Sequence, residues 1–145
     1  MQSSELEHVQ KIWAQIKPNS TIYRLLLSDI EITSASKGTI HARLLVEPVH
    51  LNSKGTLHGT VSACLTDWAG GLAIASTGLD KTGVSTDIHT SFVGTAKEGD
   101  WLDIEGRASK VGGTLAFTTV EIRKLVDGSA GPVVCTGSHT KFVKQ

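Results

Sequence analysis

Leu6, Val9, Trp13 and Ile16 recur at steps of three and four residues, which places them on one face of a helix from Ser4 to Lys17. Ser4 and Glu7 fit a capping box at its start, and Pro18-Asn19-Ser20 ends it, because proline lacks the N–H a helix needs. From Tyr23 to Val46 the period becomes two. Ile30 and Ile32 alternate with Asp29, Glu31 and Thr33, and Ile40, Ala42, Leu44 and Val46 alternate with His41, Arg43 and Leu45. Ser36-Lys37-Gly38 reads as the turn of a hairpin.

After an irregular stretch over Pro48 to Gly55, the segment from His58 to Thr77 is rich in small apolar residues and closed by Gly78, the pattern of a buried helix. Four strands follow, at Val84–Val93, Trp101–Lys110, Thr114–Val126 and Val133–Val143, separated by turns rich in glycine. Helix, two strands, long helix, four strands is an α+β order. One apolar helix suffices to cover one face of an antiparallel sheet of this size. The expected fold is a sheet wrapped around a central helix, with residues 1–20 forming an extra helix packed on a single domain of residues 21–145.

Composition narrows the partners. With 145 residues there is room for one ordinary core. Lys and Arg number 14, as do Asp and Glu, so no net positive field is present to hold nucleic acid. The two cysteines, Cys64 and Cys135, have no metal-ligand spacing and point to reduced thiols in an intracellular protein. The amino terminus lacks an apolar signal core, and the Gly55–Gly78 run, broken by His58 and Asp67, is a poor membrane span.

Asp67 is the only formal charge between His58 and Asp80. A carboxylate in an apolar helix is costly to bury unless it is paired or used. Two readings stand side by side: an acid at the helix surface bonded to Thr and Ser neighbours, or a poorly solvated base poised to activate water. At the start of the same helix Asn52 precedes Gly55-Thr56-Leu57-His58-Gly59, where free N–H groups can receive an oxyanion. Gly59 leaves room for a carbonyl oxygen to approach, Asn52 offers an amide donor, and His58 is either a base or a structural residue. Eight residues separate Gly59 from Asp67, about 12 Å along a helix, too far for one water and one carbonyl. If both act on one carbon they come from two copies, in a homodimer with antiparallel central helices.

Asn52-Ser53-Lys54-Gly55-Thr56-Leu57-His58-Gly59, Asp67, Gly83-Val84-Ser85-Thr86-Asp87 and Thr114-Leu115-Ala116-Phe117-Thr118 together resemble the hotdog thioesterases of the PaaI type, and among them the animal thioesterase superfamily member 2, or acyl-coenzyme A thioesterase 13, group. The resemblance runs from Tyr23 to Val143. It implies hydrolysis of an acyl-CoA thioester, with Asn52 and the Gly59 N–H on the carbonyl, and Asp67 and Ser85 of the partner subunit on the water. Asp67 attacking directly would need the same carboxylate in the same place. The resemblance further places coenzyme A along Asp87, Phe92, Val93, Gly94, Thr95, Ala96 and Lys97, along Lys110, Val111, Gly112, Gly113, Thr114 and Leu115, and near His139 and Lys141. There Lys97, Lys110 and Lys141 suit phosphates, and Gly112-Gly113 allows close backbone approach. It implies a homodimer that pairs into a homotetramer, in cytoplasm or mitochondrion, with no cofactor besides the CoA of the substrate. Trp68, Gly70 and Gly71 depart from the animal pattern and leave the acyl group open.

Other chemistries fit less well. The chain has no Gly-x-Ser-x-Gly elbow, and its six histidines are scattered without ligand spacing, so neither a serine hydrolase nor a metal site is expected. A non-catalytic acyl-CoA sensor and an enoyl-CoA hydratase are the rivals on the same fold.

Overall fold

The computed structural model describes residues 2–144; Met1 and Gln145, the outer ends of the two expected segments, lie outside it. Helix α1 spans Ser4–Ile16 and buries Leu6, Val9 and Trp13 of the expected stripe, with Ile12 buried beside them and Ile16 only partly so. Its cap is Ser3 and not Ser4: Ser3 Oγ accepts from Leu6 N at 3.1 Å, while Ser4 Oγ donates to Glu5. A tight turn over Lys17–Asn19 leads to a short helix, α2 (Thr21–Leu26), capped by Ser20. The two-residue alternation therefore begins later than Tyr23. Tyr23 lies on a helix, not in the approach to a strand.

Strands β1 (Glu31–Ser36) and β2 (Thr39–Leu45) form the expected hairpin, turning at Gly38 with φ of 86°. Helix α3 covers Gly59–Ala75, one residue inside the predicted start because His58 is its cap. Then come β3 (Val84–Phe92), β4 (Trp101–Val111), β5 (Leu115–Val126) and β6 (Ser129–Phe142). β6 begins four residues earlier than the pattern indicates, since Asp127-Gly128 makes so tight a turn that pairing resumes at Val126–Ser129.

All strand pairs are antiparallel, in the order β1-β2-β4-β5-β6-β3. The sheet curls around α3, which presents Leu65, Ala69, Leu72 and Ala73 to Ile40, Leu102, Ile104, Val120 and Ile122, all nearly fully buried. Each such Leu or Ile contributes about 1.5–3 kcal/mol by leaving water. Helix and sheet meet at backbone distance at Gly106, where a Cβ would stand 2.6 Å from Ala69 O. This is the α+β sheet wrapped around one helix that the order of elements predicted and the hotdog arrangement that the resemblance implies, and it leaves β3 at an edge of the sheet.

Candidate active site

Asp67 lies in the third turn of α3, its side chain 35% exposed. Its partners come from other elements. Ser85 Oγ on β3 donates to Oδ1 at 3.3 Å, the Tyr23 hydroxyl on α2 donates to Oδ2 at 3.1 Å, and Lys141 Nζ on β6 stands 3.5 Å from Oδ1. The neighbouring Thr66 instead bonds back to Ser62 O of its own helix. Asp67 is thus part-exposed and takes one bond from a serine, as the plainer reading allows, but its three partners come from three separate elements that converge on one carboxylate.

Ser85 reaches this position through a bulge in β3. Ile88, Thr90 and Phe92 sit opposite His139, Gly137 and Cys135, but between Asp87 and Ser85 the register slips past Thr86, so that Ser85 sits opposite Lys141. A bulge of one residue inverts the alternation of a strand. Ser85 thereby joins the face of β6 that carries His139 and Lys141.

His139 is 1% exposed, with Nε2 2.7 Å from Ser85 Oγ and 3.7 Å from Asp67 Oδ1. Its Nδ1 has no hydrogen-bond partner among the described residues. Burial, with the Lys141 ammonium adding to it, holds the imidazole below its ordinary value against the opposing charges of Asp67 and Asp87. Lys141, 5% exposed, is likewise lowered by burial, and the Asp67 carboxylate works against that shift. Both side chains were expected near coenzyme A; in this chain both are buried, and Lys141 is paired with Asp67. The pattern that could have shown this is the alternation His139, Lys141, Val143, which ends on a buried apolar residue.

The departures at 68, 70 and 71 belong to the same region. Trp68 packs edge-on against Trp13 with ring centroids 5.5 Å apart. A Cβ at Gly70 would lie 2.6 Å from Thr118 Oγ1 and 3.0 Å from His139 Nδ1, and one at Gly71 would lie 2.9 Å from Thr82 Cβ and 3.2 Å from Lys141 Nζ. The two glycines make room for these side chains, the buried imidazole and ammonium among them.

At the other end of α3, the Asn52 side chain builds the turn before the helix: Oδ1 accepts from Lys54 N and Thr56 N at 2.9 and 3.1 Å, and Nδ2 donates to Thr56 Oγ1 at 2.9 Å. One amide hydrogen of Asn52 remains uncommitted. His58 Nδ1 accepts from Thr60 N at 3.0 Å, so this exposed ring caps the helix. Gly59 is the first helical residue, and a Cβ there would meet the Phe92 ring at 3.1 Å. Within one chain, Asn52, His58 and Gly59 form one cluster and Asp67, Ser85, His139 and Lys141 another.

The surface segments expected at coenzyme A divide in the same way. Phe92, Val93, Gly94, Thr95, Ala96 and Lys97 lead away from the Gly59 end, tied to it by Leu57 N to Ala96 O at 2.8 Å and a bridge from Thr56 to Lys97. Lys110, Val111, Gly112, Gly113, Thr114 and Leu115 form the turn at the opposite end, where Leu115 and Val84 both pair with Phe142. Asp87 is exposed on β3 between them.

Sequence reasoning missed two groups here. Tyr23 reaches Asp67 from 44 residues away, a contact that no local spacing signals. Cys64, one turn before Asp67 on α3, is pushed up to about 12 by burial and then by the Asp67 charge, which makes it a poor nucleophile.

Residues 54–130 match the family profile of the thioesterase superfamily. Human acyl-coenzyme A thioesterase 13 is 34% identical over 121 residues, 83% of this chain and 84% of that one. The crystal structure of zebrafish thioesterase superfamily member 2 superposes with a TM-score of 0.83 at 33% identity, covering 97% of this chain and 99% of the other. A hypothetical thioesterase protein from Streptococcus pneumoniae, solved with coenzyme A, superposes with a TM-score of 0.73 at 29% identity over 81% of this chain and 87% of that one.

Proposed function

The chain belongs to the thioesterase superfamily, and from that premise we propose that it hydrolyses acyl-coenzyme A thioesters to the free acid and coenzyme A, with Asp67 as the base. The observation that carries this reading is the arrangement at Asp67: Ser85 and Lys141 engage Oδ1, Tyr23 engages Oδ2, and the side chain stays 35% exposed, within reach of a water. That water gives its proton to Asp67 as its oxygen bonds to the thioester carbon. The Gly59 N–H and the Asn52 amide receive the charge that develops on the carbonyl oxygen. Collapse of the tetrahedral intermediate breaks the C–S bond, and the departing thiolate takes the proton from Asp67. The names of the human relative and the coenzyme A in the streptococcal structure support this choice of substrate.

The two clusters must meet on one carbon, and β3 supplies the way. Ser85, beside Asp67, and Phe92, beside Gly59, stand near opposite ends of this strand. Its outer edge is unpaired among the described residues and exposes Val84, Ile88, Phe92 and Val93. Long exposed edges of this kind invite strand pairing. Antiparallel pairing of β3 with its copy about a two-fold axis near Ile88 brings Ser85 of each chain opposite Phe92 of the other. Each Asp67 then faces the Gly59 of its neighbour, and the 92–97 segment of one chain meets the 110–115 turn of the other. The working unit is a homodimer with two sites, and the outer sheet faces leave room for a homotetramer.

A panel of acetyl-, medium-chain, long-chain and aryl-CoA esters, followed by thiol release, tests the reading. Wild type releases free thiol from at least one class, and Asp67→Asn lowers kcat/KM by about a thousandfold or more. Binding without thiol release makes the protein a sensor. Loss of enoyl absorbance without thiol release makes it a hydratase.

A further inference from the structure

We infer that Tyr23 is a positioning residue of the active site, a clamp supplied by the amino-terminal helices that fixes the Asp67 carboxylate for water activation. The inference rests on the hydrolytic reading of Asp67 above. Among the described residues, Ser85 and Lys141 both address Oδ1, which leaves Oδ2 held by the Tyr23 hydroxyl alone. A carboxylate pinned at one oxygen can still rock about its χ2, a soft two-fold torsion. Donation from Tyr23 to the other oxygen removes that freedom and fixes the direction of the lone pair that takes the proton.

The phenol is itself held firmly. Its ring packs edge-on against Trp13 with centroids 5.7 Å apart, and Trp13 in turn packs on Trp68, the neighbour of Asp67. Tyr23 and Trp68 also wall a cavity of about 90 Å³ beside Asp67. The charged and titratable groups around the pair are Lys141 and His139 from β6 and Cys64 from α3. Burial first, and then the Asp67 charge, push the Tyr23 phenol above its ordinary value, so it remains a neutral donor throughout the working pH range.

Tyr23→Phe keeps the ring on Trp13 and removes only the hydroxyl. The test is steady-state hydrolysis by the full chain of whichever CoA ester the wild type cleaves, beside Asp67→Asn and the double variant. The expected result is a fall of about tenfold in kcat with KM within about twofold, because the hydroxyl touches the base and not the substrate. In the Asp67→Asn background the second change has no further effect. Fluorotyrosine at position 23 keeps the donor and restores kcat, which separates loss of the hydroxyl from a folding defect in the Phe variant. Wild-type kcat in Tyr23→Phe, or a further fall when the change is added to Asp67→Asn, overturns the clamp while leaving the hydrolytic reading intact. Activity that survives Asp67→Asn overturns both.

Discussion

His139 Nε2 lies 2.7 Å from Ser85 Oγ, and among the described residues no acceptor serves its Nδ1. An imidazole held neutral by burial carries one proton, and the partner described for it is on the Nε2 side. His139 therefore donates to Ser85, and the Ser85 hydroxyl hydrogen is turned toward Asp67. Ser85→Ala is expected to lower kcat about ten- to a hundredfold while KM changes little, because the hydroxyl orders the base and the water and does not bind substrate. Steady-state kinetics decide it: a rise in KM at constant kcat would assign Ser85 to binding instead.

The depressed imidazole also makes folding sensitive to acid. Between the ordinary histidine value of about 6.5 and the lower folded value, the unfolded chain binds a proton at this position that the folded chain does not. Stability then rises with pH, so the contribution is whole above about 6.5 and is lost as pH falls through that window. Urea midpoints for wild type and His139→Gln, measured from pH 7.5 down to 5, should diverge at neutral pH and converge on acidification. A constant gap would mean that His139 does not titrate with folding.

A shared active site has a distinctive mixing behaviour. Asp67→Asn and Gly59→Val should each be inactive, the second because even a Cβ already crowds the Phe92 ring. After unfolding and refolding an equimolar mixture, half the dimers are mixed and each of those owns one intact site, so about a quarter of wild-type activity should return. No recovery in mixtures proven to contain mixed dimers would place Gly59 and Asp67 in separate sites.

Close contact between sheet and helix at Gly106 sets a stability test. A Cβ 2.6 Å from Ala69 O presses on helix backbone, which has no rotamer to yield. Gly106→Ala should cost about 1–3 kcal/mol despite the entropy that alanine removes from the unfolded chain. Gly113→Ala, where nothing lies within 4 Å, should be near neutral in the same chemical denaturation experiment. Equal effects would refute the close-packing account.

The fold was legible because it rests on periodicity, which is local. The stripe of α1, the small apolar run of α3, the alternation in β1 and β2 and the glycine-rich turns around the later strands each name their own element. Asp67 stood out as a lone charge in an apolar helix, and the Gly59–Asp67 spacing pointed to the two-copy site proposed above. What stayed hidden depends on contacts between distant segments. Tyr23 could not be joined to Asp67, because α2 is too short for its own period to register. His139 and Lys141 were drawn to the surface by their polarity, although the alternation that ends at Val143 turns them inward.

Thr86 is the one extra residue of β3 against β6, and it acts as a spacer. A gene lacking that codon would still set Ser85 opposite Lys141, since pairing would run from Asp87–Thr140 straight to Ser85–Lys141. The same chain paired without the irregularity would set Thr86 opposite Lys141 instead and turn Ser85 to the other face, away from Asp67. Among proteins of this shape, the residue that stands opposite the lysine of β6, and not the length of the strand, would tell whether a hydroxyl reaches the carboxylate.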